Sequence, residues 1–117
     1  MKSFQTKSLA ITVALSLTFI SSQAQAECIV PASPIIPDGN VASLDELKAA
    51  QSAFKGMQDN FFEYRECITT KIEKLDTSSE EFEEAKATLT AKDDAAFATL
   101  NEVADNLNSA IRVYKAK

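Results

Sequence analysis

The sequence predicts an all-α fold, an antiparallel two-helix hairpin with an N-terminal polyproline-type strand packed on helix one. Three observations carry this expectation. Apolar residues recur in alternating steps of three and four over two long stretches. A short polar break, Asp76-Thr77-Ser78, separates the stretches. Ahead of them lies a segment in which Pro31, Pro34 and Pro37 are spaced by three, the repeat of a polyproline II helix.

The first helix is expected over about 43–75. Ser43 and Glu46 have capping-box spacing. Leu47, Ala50, Phe54, Met57, Phe61, Tyr64 and Ile68 then form one seam, shifting to Ile72 and Leu75. Lys71 and Lys74 complement the carbonyl end of the dipole. The second helix is expected over about 79–116. Ser78 and Glu81 repeat the capping spacing, and the apolar set runs from Phe82 through Ala85, Leu89, Ala96, Phe97, Leu100, Val103, Leu107, Ala110 and Ile111 to Tyr114. Lys92, Asp93 and Asp94 interrupt it, which predicts a kink or a loose patch. Counting outward from Thr77 places Phe54 near Leu100 and Leu47 near Leu107. A short connection folds two such helices antiparallel, in the manner of a coiled coil. One seam covers its apolar surface poorly, so a third layer or a partner is expected.

Residues 1–26 read as a secretory signal peptide. Lys2 and Lys7 precede an apolar run from Leu9 to Ile20, and Ala24-Gln25-Ala26 supplies the small-residue cleavage site. Twelve apolar residues make about 18 Å of helix, too short for the ~30 Å hydrocarbon core, so no integral membrane segment is expected after cleavage. Glu27, immediately before Cys28, argues against lipid attachment there. Cleavage after Ala26 leaves a Pro-rich extended segment, 27–42, and a helical hairpin domain, 43–117. It also leaves ten basic against 17 acidic residues, net −7. The expected location is the periplasm or the exterior.

Cys28 and Cys67 would enter an oxidising compartment, where an even count of two reads as one disulfide. The alternatives are a thiol pair for metal or bridges between chains. A bridge folds the proline segment back along the first helix, and the lengths agree. Nine residues of polyproline and 19 of α-helix each span about 28 Å. Within roughly 40° of Cys67 on that helix lie Ala49, Ala53, Gly56 and Asn60. Their small side chains are expected to form the groove for the strand, with Asn60 bonding its backbone. Asp38-Gly39 reads as the turn that reverses the chain.

The pattern Cys28-x-x-Pro31-x-x-Pro34-x-x-Pro37-Asp38-Gly39, followed by Ala42, Glu46, Tyr64 and Cys67, resembles a group of uncharacterised small secreted proteobacterial proteins. The resemblance spans Cys28 to Cys67, about half of the cleaved chain, and does not extend to helix two. It implies no activity.

Composition narrows the chemistry. The chain has no histidine, which removes the side chain that titrates near neutrality and the usual imidazole ligand. The acidic balance argues against nucleic acid as a partner. Acid pairs occur at Glu63 with Glu66, at Glu80 with Glu83 and Glu84, and at Asp93 with Asp94. A bundle di-metal site needs Glu-x-x-His in addition. No catalytic residue, metal site or cofactor is therefore expected. Phe62 lies off the main seam and is the candidate for an exposed contact with a protein partner or a second copy. The expected function is a non-enzymatic exported binding or structural protein. The alternatives are a periplasmic chaperone-like, stress-protective hairpin and a weak divalent-cation-dependent factor or enzyme using the acid pairs.

Overall fold

The computed structural model describes residues 27–117; residues 1–26, read above as a signal peptide, lie outside them. The described residues form two helices and no strand, α1 (Leu44–Glu73) and α2 (Phe82–Lys115), packed along one another as a hairpin. No described helix is long and apolar enough to cross a membrane.

α1 begins where the capping box places it. The Glu46 amide donates to Ser43 Oγ at 3.1 Å, and the Ser43 amide donates to Glu46 Oε2 at 3.4 Å. The second capping box does not form. Ser78 turns back on Asp76 instead, donating from its amide (2.9 Å) and its hydroxyl (2.6 Å) to Oδ1. These bonds, the hydroxyl's first, hold the Asp76 carboxyl below its ordinary range. Their contribution is present at neutral pH and lost as acid protonates Asp76. Ser79 Oγ accepts from the Glu81 amide, and α2 starts only at Phe82 with no side-chain cap.

That extra turn moves the centre of the hairpin toward the C-terminus. Arg65 meets Asp93 and Phe61 meets Phe97, while Phe54 shares a recess with Ala104, Leu107, Asn108 and Ile111. The register is thus about one helical turn beyond the count from Thr77. α2 also runs unbroken through Lys92-Asp93-Asp94. Asp93 takes a seam position and is neutralised there by Arg65, so no kink is needed.

Two groups of buried residues make the core. Met57, Phe61, Tyr64 and Ile68 pack with Ala96, Leu100 and Val103, and Cys28, Ile36, Phe54, Ile72 and Leu89 lie against them. Nearer the C-terminus, Ala42, Leu47 and Ala110 form a smaller group with Ile36 and Tyr114. Cys28 and Cys67 are joined in a disulfide with Cα atoms 5.7 Å apart.

Residues 27–43 lie over both helices, fastened to α1 by the disulfide and seated on α2 at Gly39. A Cβ on Gly39 would collide with the Ala110 carbonyl oxygen, with the Ala110 carbonyl carbon at 2.9 Å and Val113 Cβ at 3.0 Å. The turn beyond it is closed by the Ala42 amide on the Asp38 carbonyl (2.8 Å) and the Asn40 amide on Asp38 Oδ1 (2.9 Å). The small-residue stripe does not serve as the groove. Ala49, Ala53, Gly56 and Asn60 are all exposed, and a Cβ on Gly56 would meet nothing within 4 Å. Among the four, Asn60 alone lines a recess beside residues 27–32. Helix two supplies the rest of the surface under the segment, which a wheel drawn for helix one alone does not include.

The two glycines should therefore respond oppositely to alanine. Gly56→Ala removes the helix penalty of glycine in open space and should stabilise by about 0.5–1 kcal/mol. Gly39→Ala forces backbone apart and should destabilise by about 1–3 kcal/mol. Thermal unfolding of the two variants checks both signs.

Candidate functional site

The heptad frame sorts the surface. With Phe54, Phe61 and Ile68 at position a and Met57 and Tyr64 at d, Asn60 and Cys67 fall at g. In α2, Asp93, Leu100 and Leu107 take a, Ala96, Val103 and Ala110 take d, and Thr99, Asn106 and Val113 take g. The g side is the one residues 27–43 cover, since Asn60 and Cys67 line the recess beside residues 27–32 and Thr99, Asn106 and Val113 line that beside Ser33–Gly39. Positions e and b fall on the opposite side, and none of them lines either recess.

This second side carries the exposed aromatics. Phe62, at b of α1, is 62% exposed, and Phe97, at e of α2, is 44% exposed. Both are fixed from beneath by Phe61, whose ring centroid lies 6.0 Å from Phe62 and 5.8 Å from Phe97. Phe61 itself is 1% exposed.

Arg65 locks the same patch across the hairpin. Its Nε donates to Asp93 Oδ1 at 3.1 Å and its Nη2 donates to Oδ2 at 3.0 Å, a two-pronged pairing. The guanidinium carbon lies 4.6 Å from the Phe61 centroid and 5.3 Å from that of Phe97. The Asp93 hydrogen bond raises the guanidinium pKa further above its ordinary value. Along this side α1 continues with Gln51, Lys55 and Gln58, and α2 with Asn101, Ala104, Asn108 and Ile111.

Sequence reasoning singled out Phe62 and missed its neighbours. The periodicity places Phe97 on the seam, and a register one turn short leaves Arg65 and Asp93 apart. Two four-residue steps joining Arg65 to Phe61 and Asp93 to Phe97 were the available signal.

On the covered side, a cavity of about 350 Å³ sits beside the disulfide. Met57, Tyr64, Ile68, Leu89 and Ala96 give it an apolar lining, and Lys71 and Lys92 contribute ammonium groups. The acid pairs do not converge. Glu63, Glu66, Glu80, Glu83, Glu84 and Asp94 are exposed, and Asp93 is engaged by Arg65. No group of three or more Cys, Asp or Glu among the described residues is placed to hold a metal ion.

No protein-family model matches the sequence, no curated protein is significantly similar to it, and no solved structure matches its fold at a significant level.

Proposed function

We propose that this is a non-enzymatic exported protein that binds a protein partner through the bare side of a disulfide-strapped helical hairpin. The observation that carries the reading is the placement of Phe62 and Phe97. Two half-exposed or more exposed phenylalanines sit side by side, held rigid by Phe61 and by the Arg65–Asp93 pairing. Fixed aromatic anchors beside a half-exposed arginine are residue types that dominate binding energy at interfaces. A disulfide is compatible with an oxidising location outside the cytosol.

Residues 28–37 act in this reading as a polyproline-type strap over the other side. Their exposure follows a period of three from Cys28 to Pro34 and is broken at Ile36, which is half-buried beside Pro37. Cys28, Pro31, Pro34 and Pro37 are buried or half-buried, whereas Ile29, Val30, Ala32, Ser33 and Ile35 are exposed. The strap occupies one side of the seam and leaves the other for the partner.

A photoreactive phenylalanine analogue in place of Phe62, in cells that make the protein, tests the reading. A discrete crosslinked adduct is expected from position 62 and none from the analogue at Ala53, which is exposed on α1 away from the patch. Equal labelling from both positions, or none from 62, would sink it.

A further inference from the structure

We propose that the partner on the bare side is a second copy of this chain, the two hairpins closing face to face as a twofold-symmetric four-helix bundle. The proposal rests on the binding-side reading above and names its occupant.

Charge is the first argument. The described chain is strongly acidic, yet few of its acids lie on this side, Asp94 at b and Glu83 at e of α2. Asp59 and Glu66 fall at f of α1, Glu63 at c, Glu102 at c of α2 and Asp105 at f, all turned away from e and b. From Leu44 to Ile72 the side carries Lys48, Lys55 and Arg65 against Asp94 and the Asp93 that pairs with Arg65, a net charge of +1. A molecule that repels its own copies everywhere else can meet one only through such a surface. A strongly basic partner would select for an acidic docking side, and this one carries no net negative charge.

The second argument is self-complementarity. Gln51, Gln58, Asn101 and Asn108 flank the aromatic pair. A carboxamide both donates and accepts, so it satisfies an identical carboxamide brought to it by a twofold axis. Phe62 and Phe97 likewise stack on their own symmetry mates.

Area is the third. From Leu44 to Ile72 the side runs about 42 Å at 1.5 Å per residue, and two adjoining helices of ~10 Å each give it a width of about 20 Å. That is roughly 800 Å² per copy, the size of a standard stable interface. Two strapped hairpins so joined bury both sides of each seam, giving the layered core that one hairpin lacks.

Sedimentation equilibrium of the oxidised protein over a range of concentrations provides the test. A reversible dimer is expected, and it should tighten as salt rises, because added ions screen the repulsion between two acidic bodies. Phe62→Asp, present twice in each dimer, should weaken it about 100-fold or more. Gln58→Glu with Asn101→Asp, which leaves the core untouched, should weaken it at least about tenfold through like charges facing each other. Ala53→Asp should change nothing. Helical circular dichroism, unchanged in all three, shows that the variants fold. A wild-type monomer at every concentration, or a dimer indifferent to both face variants, overturns the proposal. The crosslink from position 62 separates the two readings. An adduct of twice the chain mass supports the second copy. An adduct with another protein, from a monomeric chain, overturns the second copy and keeps the binding side. No adduct from a monomeric chain overturns both.

Discussion

Replacing Cys28 and Cys67 together by serine should lower stability by about 4 kcal/mol. The disulfide closes a loop with a sequence separation of 39, and the chain-entropy model assigns about that much to a loop of this length. For a domain of this size each kcal/mol moves the melting temperature by about 4–8 °C. A fall on the order of 20 °C is therefore expected in thermal unfolding followed by circular dichroism. The double variant avoids an unpaired thiol and its side reactions. Reductant should lower the melting temperature of the parent protein by a comparable amount and leave that of the double variant unmoved. A change below about 1 kcal/mol would mean that residual structure already confines the unfolded chain without the bridge.

Phe61→Ala should cost about 3–5 kcal/mol. Phe61 is the largest fully buried side chain, at 1% exposure, and sits where both helices meet. Its loss removes more than apolar area. Phe97 loses the ring 5.8 Å from its own, and Arg65 loses the face 4.6 Å beneath its guanidinium. Total stabilities of small domains are about 5–15 kcal/mol, so this one substitution leaves the fold marginal. Urea unfolding gives the change directly, as a shift in midpoint at unaltered slope. A cost near 1 kcal/mol would show that the seam collapses around the gap. Because Phe61 underlies the bare side, the same variant should also weaken any association through Phe62.

The legible and illegible parts of this chain divide by the range of the interaction involved. The Ser43–Glu46 cap and the seam from Leu47 to Ile68 are set by neighbours three or four residues away, and pattern alone places them. Cys28 and Cys67, being two, had one intramolecular pairing available. Register was not local in this way. Whether α2 begins at 79 or 82 depends on the choice of Ser78 between capping a helix and bonding Asp76. Its hydroxyl reaches Asp76 Oδ1 at 2.6 Å, and that local bond competes with the helix start. An error of one turn there hid the Arg65–Asp93 pairing and, with it, Phe97 as a member of the patch. The Gly56 stripe failed for another reason. Small side chains permit close approach but do not attract it, and the strap is drawn instead to the apolar seam shared with α2, where Ile36 reaches both core groups. Partner identity lies beyond any of these local rules, because it depends on which surface is left over once every intramolecular contact is made.

The strap also inverts the usual gradient of fraying. In most helical hairpins the open end, where the two termini lie, loosens first and the connecting turn holds the pair in register. Here Gly39 is seated on Ala110, and Ala42, Leu47 and Ala110 are sealed with Ile36 and Tyr114 at the open end. The disulfide fastens the strap again at Cys67. Past Ile72 and Leu89 no described residue is buried until the turn is rounded. Local unfolding should therefore begin at the acid-rich residues 74–88, none of them buried, and not at the end sealed by the strap.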